Sequence, residues 1–154
     1  EKNLYRDALA VFDKLAKKHQ DISLMGRSLG SAVALHVASN RTIEKLILVT
    51  PFDSVENVAK SIYWMFPVGL LLRDKFQTVD NLQHVTSPIL LLIAEQDRVI
   101  PRVRTEHLIN AADKQDLQAV VISGADHNDI SFYNDYALSI SRFMDIKLWA
   151  MNRR

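Results

Sequence analysis

Ile22-Ser23-Leu24-Met25-Gly26-Arg27-Ser28-Leu29-Gly30-Ser31-Ala32-Val33-Ala34-Leu35-His36-Val37-Ala38 is the stretch on which the fold turns. Ile22 to Met25 reads as a short buried strand, and Ser31 to Ala38 reads as a helix. Between them Gly26-Arg27-Ser28-Leu29-Gly30 has the spacing G-x-S-x-G. Strand, motif and helix in that order are the pattern of a nucleophile elbow. The serine sits in a sharp, strained turn. A side chain on either flanking position is expected to crowd the adjoining strand and helix, so glycine is expected at both Gly26 and Gly30. The helix that starts in the turn aims its free N–H groups and positive dipole end at the serine, where an oxyanion would form. Small residues Ser31, Ala32, Ala34 and Ala38 let that helix lie close to a sheet. The bare motif occurs by chance, with a plain structural turn as the alternative. The strand before it and the small-residue helix after it raise its specificity.

Around this stretch the chain has 154 residues, enough for one domain with a real core. A formal net charge of +1 points neither to nucleic acid nor to an acidic partner. There is no cysteine, hence no disulfide, no thiolate nucleophile and no Cys-based metal site. That fits a reducing, cytoplasmic compartment without requiring one. The longest apolar stretch, Ile62 to Leu72, is broken by Pro67 and Gly69 and is too short to span a bilayer. The first residues do not read as a signal peptide. The chain opens at Glu1 inside a helical pattern and without methionine, so it is expected to be a piece of a longer protein.

In chain order, Leu4, Ala8, Val11, Phe12, Leu15 and Ala16 fall at helical spacing over 2–19. Residues 22–25 are the first predicted strand and 29–39 the helix after the motif. Leu46 to Thr50 is a second strand, ended by Pro51. Pro88 to Ala94 is a third, continuously apolar, as strands covered on both faces are. Pro101 opens a helix to about Ala112. Gln118 to Ser123 is a fourth strand, stopped by Gly124, and a last helix is expected from about Asp129 to Met151. The alternation predicts a three-layer α/β sandwich with a mainly parallel sheet and helices on both sides. Residues 52–87 interrupt it with an insertion carrying Tyr63-Trp64-Met65-Phe66-Pro67 and Leu70-Leu71-Leu72. This cluster reads either as satellite core or as a cap giving a substrate an apolar wall, with Trp64, Phe66 and Leu70 as pocket candidates.

A serine nucleophile needs a base, and the base needs an orienting acid. In an open parallel sheet such groups gather beyond the carboxyl ends of the strands. After the third strand comes Glu95-Gln96-Asp97-Arg98-Val99-Ile100-Pro101; after the fourth comes Ser123-Gly124-Ala125-Asp126-His127-Asn128-Asp129. Ser28, Asp97 and His127 then follow three strands in the order Ser, Asp, His, which is the order for this elbow. His127 would take the Ser28 proton, Asp97 would hold the imidazole, and the Leu29 backbone N–H would be one oxyanion donor. Glu95 is a rival acid; Asp97 is favoured because it stands just before the helix opened by Pro101. His19, His36 and His107 fall on helices and His84 in a polar run, which leaves His127. Asp126 and Asp129 are expected to cap the last helix.

Gly26-Arg27-Ser28-Leu29-Gly30-Ser31, Thr50-Pro51-Phe52-Asp53-Ser54, Leu70-Leu71-Leu72-Arg73-Asp74-Lys75-Phe76, Asp97-Arg98-Val99-Ile100-Pro101 and Gly124-Ala125-Asp126-His127-Asn128-Asp129 together resemble the alpha/beta-hydrolase superfamily. The flavour is that of its serine aminopeptidase-like and depalmitoylase-like members, and the resemblance covers nearly the whole chain. It implies a single domain over 1–154, incomplete at its N-terminus, with the 52–87 insertion as a cap. The family's first strands and its second oxyanion donor would lie upstream of Glu1. It also implies hydrolysis of an ester, thioester or amide of a small acyl compound or short peptide, with no cofactor and no metal. Membrane association of a longer protein stays open. Members usually carry glycine just before the histidine. Here it is Asp126, which puts a carboxylate beside the base and would raise the histidine pKa if the two approach.

Two other classes compete with a serine hydrolase. One is a non-catalytic, ligand- or protein-binding member of the same fold. The other is a nucleotide-binding doubly wound domain, but that needs G-x-G-x-x-G and this chain has Ser28 at the second glycine.

Overall fold

The computed structural model describes residues 1–62, 76, 78–112 and 116–145. Its elements are α1 (Lys2–Ala16), β1 (Leu24–Arg27), α2 (Leu29–Asn40), β2 (Leu46–Val49), α3 (Val55–Ile62), α4 (Thr78–Leu82), β3 (Ile89–Ala94), α5 (Arg102–Ala111), β4 (Leu117–Ile122), a 3-10 turn (Ile130–Phe132) and α6 (Asn134–Phe143). The strands lie in the order β1-β2-β3-β4, and every pairing is parallel. Each strand needs a crossover to reach its parallel neighbour. The crossovers carry α2 between β1 and β2, α3 and α4 between β2 and β3, and α5 between β3 and β4.

The apolar runs of β2 and β3 are explained by burial on both faces. Leu46, Leu48, Ile89 and Leu91 pack on one side with Phe12 of α1, Leu35 of α2, Leu82 of α4 and Leu108 of α5. Ile47, Val49, Leu90 and Leu92 pack on the other with Tyr136, Ile140 and Phe143 of α6. Each fully buried Leu or Ile contributes about 1.5–3 kcal/mol relative to exposure, so these central strands anchor the domain. The layers are helix, sheet, helix, and the expected three-layer α/β sandwich stands.

Several boundaries differ from expectation, β4 (Leu117–Ile122 rather than Gln118–Ser123) among them, and three differ for a reason the structure shows. The first strand is Leu24–Arg27 rather than 22–25. It runs into the motif because Gly26 and Arg27 pair with Leu48 and Val49. The second strand stops at Val49, since Thr50 adopts a positive φ of 47°. The expected last helix is divided. Tyr133 is extended (φ −85°, ψ 136°) between the 3-10 turn and α6. Its hydroxyl donates to the Gly124 carbonyl at 2.8 Å, which ties this break to the turn after β4. Residues 146–151 of that expected helix lie outside the described residues.

Of the 52–87 insertion, α3, Phe76 and α4 with the residues following it are described. Its two ends share a small core in which Phe52 and Phe76 meet Ala32 and Ile100. The buried Asp53 carboxylate accepts hydrogen bonds from the Ser54 N–H (2.8 Å), Asn57 Nδ2 (3.0 Å) and Arg104 Nη1 of α5 (3.2 Å). The Thr78 hydroxyl donates to the Phe52 and Asp53 carbonyls, and the Thr105 hydroxyl to the Pro51 carbonyl at 2.8 Å. The root of the insertion is thus fastened to α5, the helix that follows Asp97.

Candidate active site

Because the strands are parallel, their carboxyl ends open on one edge of the sheet. Ser28 follows β1, Asp97 lies in the loop after β3, and His127 lies in the loop after β4. Ser28 has φ 52° and ψ −123°, a conformation that costs a non-glycine residue strain and persists only where its surroundings over-determine it. They do so here. The Ser28 N–H donates to the Val49 carbonyl at 2.9 Å, and the Ser28 carbonyl accepts from the Ser31 N–H (2.9 Å) and hydroxyl (2.6 Å).

The two motif glycines do different things. A Cβ on Gly26 would press against the Gly30 carbonyl and lie 2.7 Å from Ser31 Cα, so the crossing of strand and helix allows no side chain there. The same crowding was expected at Gly30 and is not found: a Cβ there meets nothing within 4 Å. Gly30 is one of the residues lining a groove of about 520 Å³ between α1, α2 and β1.

The imidazole of His127 joins the other two residues. Its Nε2 is 3.1 Å from Ser28 Oγ and its Nδ1 2.9 Å from Asp97 Oδ2. A carboxylate only accepts, so the Nδ1–H donates to Asp97 and Nε2 is left to accept from the serine hydroxyl. The His127 side chain is 8% exposed, so water competes poorly for either contact. Asp97 is held in turn: its Oδ1 accepts the N–H groups of Val99 (2.9 Å) and Ile100 (2.7 Å). Leu29 is the first residue of α2, where backbone N–H groups have no intrahelical acceptor. The other histidines are elsewhere; His36, for instance, stacks on Tyr5 at 3.9 Å.

Glu95 is engaged away from the imidazole. Its Oε2 accepts from the Gly124 N–H at 2.7 Å and the Ser123 hydroxyl at 2.9 Å. These bonds, the Gly124 N–H first, hold its carboxyl below the usual glutamate range. Asp126 also departs from expectation. It does not cap α6, which starts at Asn134. Its carboxylate accepts the Arg98 N–H at 3.1 Å and its neighbour's backbone N–H, that of His127, at 2.7 Å. The Arg98 guanidinium covers the remaining oxygen through Nε at 2.6 Å and through Nη2. The Arg98 N–H above all, then the His127 N–H and the Arg98 side chain, hold Asp126 down at about 2. Asp129 contributes by accepting the Asp126 N–H at 2.7 Å.

Arg27 was not singled out by sequence reasoning, yet its Nη2 donates to the His127 carbonyl at 2.6 Å. Its place beside Ser28 was the available signal. For Arg98 and Asp126 no signal existed, since the two are 28 positions apart. The pocket candidates Trp64, Phe66 and Leu70 lie outside the described residues. Among the described residues no cluster of three His, Cys, Asp or Glu could hold a metal ion, and no helix is long and apolar enough to cross a membrane.

Comparison with known proteins agrees with this architecture. An uncharacterised protein of Mycobacterium tuberculosis is 32% identical over 133 residues, covering 84% of this chain and 47% of the relative. Alpha/beta hydrolase domain-containing protein 17C of Xenopus tropicalis is 29% identical over 154 residues, covering 96% of this chain and 47% of the relative. Among solved structures, the acetyl xylan esterase from Paenibacillus sp. R4 superposes with a TM-score of 0.75 at 17% identity, over 96% of this chain and 53% of that one. This chain therefore spans about half the length of the curated relatives it matches. No protein-family model matches it. The likenesses bear out the resemblance to the alpha/beta hydrolases read from the sequence.

Proposed function

We propose, from the alpha/beta-hydrolase fold that this chain has, that it carries the catalytic groups of a serine hydrolase acting on an ester, thioester or amide. The observation that supports this reading is the placing of one buried imidazole within 3.1 Å of Ser28 Oγ and 2.9 Å of Asp97 Oδ2. In the proposed reaction Ser28 Oγ attacks the acyl carbonyl carbon while His127 Nε2 takes its proton. Asp97 holds the ring and stabilises the imidazolium. The negative charge that develops on the carbonyl oxygen is met by the Leu29 N–H at the positive end of α2. Collapse expels the alcohol, thiol or amine, which receives the proton from His127, and leaves the acyl group on Ser28. Water, deprotonated by His127, then attacks the acyl carbon, and Ser28 leaves with the proton returned to it.

The similar proteins, a hydrolase-domain protein and an esterase, favour a hydrolase over a binding module. The 52–87 insertion completes the reading as a cap over the acyl group, rooted by Phe52, Phe76 and the Asp53–Arg104 contact. The test is labelling of the full-length protein with a fluorophosphonate probe and location of the adduct by mass spectrometry. The adduct is expected on Ser28 and is expected to vanish in Ser28→Ala, which removes a hydroxyl and overpacks nothing. Labelling of Ser28→Ala at the wild-type rate, or no adduct on the wild type, overturns the assignment.

A further inference from the structure

We propose that Asp126 is a positioning residue: its carboxylate clips the loop after β3 to the loop after β4, and so sets the Asp97–His127 contact. The inference rests on the serine-hydrolase reading for its effect on turnover, but not for the clip itself. Asp97 and His127 stand on separate loops, 30 positions apart. The residue after Asp97 is Arg98, and the residue before His127 is Asp126. One carboxylate oxygen, Asp126 Oδ1, accepts the backbone N–H groups of both Arg98 (3.1 Å) and His127 (2.7 Å). It thereby fixes the main chain immediately beside each of the two side chains that must meet. The second oxygen takes the Arg98 guanidinium.

The backbone bonds rather than the ion pair carry the argument. Arg98 is 86% exposed along its side chain, and exposed ion pairs contribute little. Hydrogen bonds from backbone N–H to an ionised acceptor are stronger than neutral ones. Because its partners hold the Asp126 carboxyl at about 2, the acceptor is ionised at neutral pH. Three further contacts aid the clip. The Gln96 N–H donates to the Ala125 carbonyl at 2.8 Å, Glu95 bridges to Ser123 and Gly124, and Arg27 holds the His127 carbonyl. Among the described residues, the charged groups around the histidine backbone are Asp97, Asp126, Arg27, Arg98 and Asp129, and of these Asp97 alone meets the ring. Asp126 makes no contact with the reacting atoms.

The test compares wild type, Asp126→Ala, Asp126→Asn and Arg98→Ala in the full-length protein. The readouts are the low-field Nδ1 proton resonance of His127 and the separate values of kcat and KM. In wild type the resonance is expected to be sharp and slow to exchange. In Asp126→Ala it is expected to broaden or vanish, with kcat falling by up to ~10²-fold, the scale of a misplacement near 1 Å, and KM nearly unchanged. Asp126→Asn retains an oxygen for the two N–H groups and is expected to keep most of the resonance and turnover. Arg98→Ala, which removes a largely exposed side chain and keeps the backbone N–H, is expected to give a smaller loss of the same kind. An Asp126→Ala protein that keeps both the resonance and its kcat overturns the proposal, as does one that only loses thermal stability. Should Asp126→Ala fail to fold, Asp126→Gly takes its place, since it also removes the carboxylate and puts there the glycine that members of the resembled family carry; an Asp126→Gly protein with wild-type resonance and turnover overturns the proposal. If wild type forms no adduct at Ser28, the hydrolase reading fails alone, because the resonance still decides the clip.

Discussion

At the scale of the residue, the choice of acid has a physical answer. Asp97 and Glu95 are two positions apart in one loop, but their carboxylates face different partners. Asp97 presents one oxygen to the His127 ring and gives the other to the N–H groups of Val99 and Ile100. Glu95 spends its contacts on Ser123 and Gly124. Asp97→Asn leaves an amide that favours the wrong imidazole tautomer, and kcat is expected to fall ~10⁴-fold. Glu95→Gln keeps a carbonyl oxygen for the Gly124 N–H, and kcat is expected to stay within about threefold, since no transition-state contact is removed. Steady-state kinetics of the two variants checks the pair. A silent Asp97→Asn with a damaging Glu95→Gln reverses the assignment.

At the scale of the element, the junction of β1 and α2 leaves no room for a side chain at Gly26. One residue, Ser28, separates the strand end from the helix, so the first turn of the helix lies across the strand at Gly26. Gly26→Ala is expected to force strand and helix apart, costing about 1–3 kcal/mol or more as overpacking does. Gly30→Ala puts a methyl where nothing lies within 4 Å and replaces a glycine inside a helix. It is expected to be neutral or to stabilise by up to about 1 kcal/mol. Urea unfolding of both variants decides the matter. Equal destabilisation by the two would mean that the strand–helix distance is set at both glycines after all.

At the scale of the whole molecule, the clip between the two loops links folding to acid. Asp126 has an ordinary value of 3.8 and is held at about 2 in the fold. Between those values the unfolded chain binds more protons than the folded one, so stability falls as pH falls. Its contribution is complete above about 3.8 and is lost as pH drops through about 2. Glu95, also held low, loses its contribution in the same direction. The urea midpoint of wild type is therefore expected to decline more steeply over this window than that of Asp126→Asn. Parallel curves for the two proteins would show that the Asp126 carboxylate does not sense folding.

Much of this protein was legible along the chain. Leu46–Val49 and Ile89–Ala94 read as buried strands because both of their faces are covered, and burial on two faces leaves an unbroken apolar run. Ser28, Asp97 and His127 stood out because each follows a strand, and parallel strands bring their carboxyl ends to one edge. These are properties of contiguous residues and of strand direction. The glycine at 30 was read like the one at 26 because spacing alone does not say which side of a helix faces a wall and which a groove. The last helix was read through Tyr133 because its break depends on a hydroxyl reaching Gly124. Tertiary structure alone decided that Asp126 turns to Arg98, Arg27 to the His127 carbonyl and Asp53 to Arg104. In each case two loops or elements distant in sequence must first dock, and only their docking fixes where a side chain points and which donor it meets.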